Sequence, residues 1–156
     1  MLRRIAPTLV AALLVSSCGI GSPPRVDFTA GASTVAADPA QYCDLELTVC
    51  DDDATAPVEL PVPAGTALRI EVPDDIAETP WHVVFRYRDA MGEQIDSRSA
   101  VFTPGRRAEY VLELPAPTDR LLVAQVQQFG PAPQPDPTTG ELDFPIRASW
   151  VLVAAA

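Results

Sequence analysis

Short runs of alternating apolar and polar residues recur along this chain between Pro, Gly and Asp punctuation, with no long helical period and with 17 prolines in 156 residues. Proline is tolerated at strand ends and in turns but not inside helices, so the pattern fits short strands joined by fixed turns. In 67–72, Leu68, Ile70 and Val72 fall on one face and Arg69 and Glu71 on the other. That is the two-residue period of a strand with one dry and one wet face. Trp81, Val83, Phe85 and Tyr87 alternate in the same way with His82, Val84, Arg86 and Arg88. Tyr110, Leu112 and Leu114 alternate with Glu109 and Glu113, and Ile146, Ala148, Trp150 and Leu152 form another inward row. Strands are expected near 25–30, 44–49, 57–62, 67–72, 81–88, 93–103 (broken), 107–114, 120–128 and 144–153.

Many short strands with one apolar face each are satisfied by two sheets packed face to face, so the expected fold is all-β, an immunoglobulin-like antiparallel sandwich of about 7 to 9 strands. Val62-Pro63-Ala64-Gly65-Thr66 is then the turn into a B-type strand, and Trp81 sits on a C-type strand at the core. No cysteine is placed to join the B and F strands, so kinship with true immunoglobulins does not follow. The topology brings the B–C and F–G connections to one end, here 73–80 and 130–143. Asp74, Asp75, Glu78, Asp136, Glu141 and Asp143 would form an acidic rim there. Charged loops are ordinary on a surface; the sharper reading is a partner-docking or weak cation surface. A gap between the sheets lined by Trp81, Phe85, Tyr110 and Trp150 would suit an apolar ligand, but interiors normally fill to crystal-like density, which favours plain core packing.

The N-terminal segment carries an address. Arg3 and Arg4 precede an apolar run over 5–15, closed by Val15-Ser16-Ser17-Cys18. The run is about 11 residues where a membrane-spanning helix needs about 20, which reads as a cleaved export signal ending in a lipobox. Small residues precede the cut site, and the Cys18 thiol is the acceptor for a thioether-linked lipid. Two or more acyl chains hold a protein stably on a membrane. The organisation expected is a signal peptide over 1–17, a lipidated tether over 18–24 and one β-sandwich domain over 25–156, on the extracytoplasmic face of the cell membrane.

With Cys18 taken by lipid, Cys43 and Cys50 remain as a pair in an oxidising compartment, and a disulfide between them is expected. The net charge is −10, and without Arg3 and Arg4 it becomes −12, nine arginines against 21 acidic residues. That argues against nucleic acid, whose binding rests on basic contacts to phosphate, and against a polybasic membrane patch. All basic residues are arginine and the chain has neither Lys nor Asn, a codon bias pointing to a GC-rich genome and, with the lipobox, to an actinobacterial envelope.

Catalytic chemistry is not evident. The single histidine, His82, falls on the polar face of its strand and is expected near the surface. There is no Gly-x-Ser-x-Gly elbow, and Ser-x-x-Lys is excluded without lysine. One histidine cannot build a cupredoxin-type copper site. Asp51-Asp52-Asp53 is the densest acidic run, but adjacent aspartates lack the glycine-turned spacing of calcium loops and read as a solvated turn. No catalytic residue, metal ligand or cofactor is therefore expected.

The chain resembles an uncharacterised family of actinobacterial lipoproteins, of mycobacterial, corynebacterial and nocardial type, described as a domain of unknown function. The features that carry the resemblance are Val15-Ser16-Ser17-Cys18, Gln41-Tyr42-Cys43-Asp44 with Cys50, Pro80-Trp81, and Ala148-Ser149-Trp150. It implies a small lipid-anchored envelope protein and brings no activity with it. The expected role is non-enzymatic: an accessory module for an envelope or membrane protein complex. The alternative is a carrier of an apolar envelope ligand in an inter-sheet cavity.

Overall fold

The computed structural model describes residues 22–155. The expected signal segment, Cys18 and the tether up to residue 21 lie outside the described residues. In chain order the elements are β1 (Val26–Ala30), β2 (Ser33–Ala37), β3 (Gln41–Cys43), β4 (Cys50–Asp52), β5 (Val58–Pro61), β6 (Leu68–Glu71), α1 (Asp74–Ala77), β7 (Trp81–Arg88), β8 (Gln94–Arg98), β9 (Glu109–Leu112), β10 (Arg120–Phe129), β11 (Gln134–Pro135), β12 (Leu142–Asp143) and β13 (Ile146–Ala155).

One sheet has the order β2-β1-β6-β9 and the other β4-β3-β13-β10-β7-β8, with β5 lying parallel to the far half of β13. β6 and β9 hold the places of the B and E strands, and β7, β10 and β13 those of C, F and G, which is the immunoglobulin-like arrangement. Apart from the β5–β13 pair, all the pairings are antiparallel. The turn ahead of β6 forms as the sequence suggests: Gly65 has φ of 75° and the Thr66 amide donates to the Pro63 carbonyl at 3.0 Å.

The alternating rows meet in one core. Phe28, Leu68, Ile70 and Leu112 from the first sheet pack with Trp81, Val83, Val126, Trp150 and Leu152 from the second. Arg69 stays on the wet face, paired with Glu109 at 2.6 Å and Glu71 at 3.0 Å. Such exposed pairs contribute little to stability. A bulge between Leu121 and Val123 shifts the register of β10. It lets Leu121 and then Ala124 and Val126 point inward along the same strand.

Four local expectations need correction. Residues 44–49 are not a strand but the loop between β3 and β4, although Leu45 and Leu47 alternate with polar neighbours. Cys43 and Cys50 face each other across the β3–β4 pair and are disulfide-bonded, so the residues between them must turn back. Asp44 shapes that turn by accepting from the Thr48 amide at 2.8 Å and the Thr48 hydroxyl at 2.7 Å. Leu47 adopts φ of 57°, unusual for a residue with a Cβ. The first strand continues into β2 through a two-residue Gly31-Ala32 turn, because Ser33–Ala37 pairs with β1 despite lacking alternation. The loop expected over 130–143 contains the small β11–β12 hairpin. His82 points to the outer face of its sheet, as alternation says, yet it is only 6% exposed; the chain following β10 folds over it.

Replacing Cys43 and Cys50 together by serine is expected to lower the unfolding free energy by about 2 to 3 kcal/mol, the chain-entropy value for so short a loop. Amide exchange should rise over 44–49 more than in the β7–β10 pair. An unchanged denaturation midpoint would contradict this.

Candidate binding surface

Gln128 organises one end of the sandwich. It lies at an inward position near the end of β10 and is 1% exposed. Its Nε2 donates to the Asp75 carbonyl at 3.1 Å and to the Thr79 hydroxyl at 2.9 Å, so the 73–80 connection is tied to β10. The Thr79 hydroxyl donates in turn to the Ile76 carbonyl at 2.7 Å. Ile76, on the single turn of α1, is fully buried and closes the end of the core. The Phe129 amide donates to the Pro80 carbonyl at 3.0 Å and the Gly130 amide to the Pro145 carbonyl at 2.8 Å. The two connections expected to meet at this end therefore do so.

The acidic residues on them do not converge into a site. Asp74, Asp75, Glu78, Glu141 and Asp143 are exposed, and among the described residues no group of three or more His, Cys, Asp or Glu is placed to hold a metal ion. Asp136 serves its own loop: its carboxylate accepts from the Thr138 and Thr139 amides at 2.6 and 2.9 Å. Those bonds, Thr139 first, hold its carboxyl below the ordinary carboxylate range. Because the folded value is depressed, the stabilisation is present above the ordinary range and is lost as pH falls through the lower, folded value. The Asp136 carboxyl should thus titrate below an unstructured aspartate, with the Thr138 and Thr139 amide shifts moving at the same midpoint. A midpoint at the ordinary value would refute the turn.

Trp81, Phe85, Tyr110 and Trp150 pack in the core or against it. Trp81 packs tilted against Phe102 at 4.5 Å and Phe102 against Tyr110 at 5.3 Å, and the indole N–H groups of Trp81 and Trp150 donate to the carbonyls of Arg107 and Pro24 at 3.2 and 2.9 Å. Space opens instead on the outer face of the second sheet. A groove of about 580 Å3 runs between Pro80 and His82, Arg98 and Val101, and Phe129 at the end of β10 with the loop residues Gly130 to Pro133, Asp143 and Phe144. Its walls are mostly proline, phenylalanine, valine and alanine. The opening of about 620 Å3 at the opposite end is lined by Arg88, Asp89, Thr118 and Arg120 among others and is polar by comparison.

His82 supplies the groove's buried polar group. Its ring packs tilted against Phe129 with the centroids 4.8 Å apart, and Nε2 lies 2.8 Å from the Gln127 amide oxygen. With that oxygen as acceptor, Nε2 carries the proton and Nδ1 presents a lone pair, an assignment made from the hydrogen-bond network. Nδ1 is buried and has no partner among the described residues. An unsatisfied buried acceptor costs about 1 to 3 kcal/mol, and because the atom is buried a donor reaches it only when the groove lining moves aside. The sequence carried a faint signal for this groove: apolar Phe129 and Phe144 flank a Pro-rich connection at the two ends of 130–143.

Together these features define an all-β, immunoglobulin-like sandwich whose loops at one end surround an apolar groove floored by a buried histidine. Residues 21–154 match the family model described as a protein of unknown function (DUF2771), and the chain belongs to that family. No curated protein and no solved structure matches it.

Proposed function

We propose that this is a non-enzymatic, lipid-anchored envelope protein of actinobacterial type, exported by its 1–17 segment and held by lipid on Cys18 at the outer face of the cell membrane. There it acts as an accessory module that binds an envelope or membrane protein through the loop end of the sandwich. The observation that carries the reading is the groove: an apolar recess beside a buried, unpartnered His82 Nδ1. A partner that fills it supplies apolar side chains. The only histidine in the chain is engaged by an amide, not by a hydroxyl or thiol nucleophile, which supports binding over catalysis.

Crosslinking in native membranes tests this directly. The protein should capture a defined partner, and a Val101→Asp variant with unchanged thermal stability should lose it. A protein that stays monomeric and partnerless at native abundance would sink the proposal. Palmitate labelling lost in Cys18→Ala tests the anchor, and a mature Cys18 of unmodified mass would refute it. A second reading, a carrier of an apolar envelope molecule, is favoured by the size of the groove, which lies outside the sheets rather than between them. Native mass spectrometry of protein extracted from its own membrane should then show bound lipid; a clean apo mass rejects it.

A further inference from the structure

Five large apolar side chains, Leu45, Val49, Val101, Leu142 and Phe144, are between 51% and 65% exposed and lie at one end of the sandwich. Val101 and Phe144 line the groove, and Leu142 is on β12 just before Phe144. Leu45 and Val49 belong to the disulfide-closed loop that packs beside them: a Cβ on Gly130 would lie 3.1 Å from the Leu47 side chain and 3.5 Å from the Pro145 carbonyl. Among the described residues the remaining exposed large apolar side chains, Met91, Val111 and Val153, are scattered: in the β7–β8 turn at the opposite end, on the outer face of β9 and toward the far end of β13.

The chain enters the domain at the same end. β1 runs antiparallel to β6 with Asp27 opposite Glu71, so Val26 starts beside the point where β6 leaves for the 73–80 connection. Pro24 is fixed there by the Trp150 indole at 2.9 Å. The six residues back from Pro24 to Cys18 reach at most about 20 Å.

We propose that this end faces the bilayer and that the five apolar side chains contact lipid at the membrane surface. The proposal rests on the lipid anchor at Cys18, because a short tether leaving from this end holds it against the membrane. Tethering makes the contact intramolecular, with an effective concentration of order mM, so weak intrinsic affinity suffices. Asp74, Asp75, Glu78, Glu141 and Asp143 are exposed at the same end and oppose anionic headgroups. The contact is therefore stronger on zwitterionic lipid and, on anionic lipid, strengthens as salt screens the repulsion. A polybasic patch behaves in the opposite way. The groove then opens at the membrane surface, and what fills it arrives from a membrane-proximal partner.

The test uses the full mature chain attached through Cys18 to phosphatidylcholine nanodiscs carrying nitroxide lipid, either as the native acylated protein or by coupling the Cys18 thiol to a maleimide lipid. Amide relaxation of Leu45, Val49, Val101, Leu142 and Phe144 should rise several-fold above that of Met91 and Val153. A Leu142→Asp, Phe144→Asp variant should lose most of the difference while staying attached, and phosphatidylglycerol at low salt should reduce it. An undiminished difference in that variant would mean that the tether alone places this end and would overturn the lipid contact. Equal broadening at both ends, or the strongest broadening at Met91, would overturn the proposal. If native Cys18 proves unmodified while the coupled chain still shows the pattern, the anchor fails and the lipid-contacting surface stands. If Cys18 is acylated and the pattern is missing, the anchor stands and the surface fails.

Discussion

Trp81→Ala is expected to lower the unfolding free energy by about 3 to 5 kcal/mol, the range for removing a buried tryptophan, and the thermal midpoint by roughly 10 to 20 °C. Trp81 is fully buried at the start of β7, next to the loop end. Beyond its own burial it organises the segment joining β8 to β9. Its ring packs at 4.5 Å on Phe102, and its indole N–H donates to the Arg107 carbonyl at 3.2 Å. Alanine opens a cavity, leaves that carbonyl without its donor and removes the surface on which Phe102 rests. Trp81→Phe keeps most of the packing and loses only the indole bond, so its cost should be markedly smaller. Chemical denaturation followed by circular dichroism measures both variants; equal, small losses would show that the indole is not a core anchor.

Gln128→Ala is the second large effect, about 2 to 4 kcal/mol. It combines two lost hydrogen bonds at about 1 kcal/mol each with a buried void and an unsatisfied Asp75 carbonyl. The cost is partly offset because the buried Gln128 Oε1, which has no partner among the described residues, is removed as well. Unlike the tryptophan change, this one acts locally. Gln128 is the link from β10 to the 73–80 connection, so amide exchange at Ile76 to Thr79 should accelerate more than in the strands. Gln128→Leu refills the volume without restoring the bonds and should recover only part of the loss. In a double-mutant cycle, Thr79→Val should cost less in the Gln128→Ala background than alone, since the two groups share a bond. Full additivity would mean that the bond contributes nothing.

The readable parts of this fold were those governed by backbone geometry. Leu68, Ile70 and Val72 went inward because side chains alternate along any strand, and the same reasoning placed Trp81, Val83, Trp150 and Leu152 in the core. The 44–49 segment shows where the rule stops. Its alternation is as good as that of a strand, but a crosslink between directly paired Cys43 and Cys50 closes it into a loop. Gln128 shows the converse, a polar side chain at an inward position, stabilised by hydrogen bonds to a connection 49 and 53 residues away in sequence. Ser33–Ala37 carries no period at all and becomes a strand because β1 offers it an edge.

The sequence by itself determined the strand-and-turn class, the sandwich and which connections meet, each from a local period or a turn residue. It pointed to the Cys43–Cys50 pairing through the expectation that Cys18 carries lipid. Only the tertiary structure decided that His82, on the outer face by its phase, is buried, and that Val101, Phe129 and Phe144 form a groove around it. Alternation specifies the face a side chain points to. Burial on an outer face depends on which distant chain folds across it, and that is settled by packing over long separations.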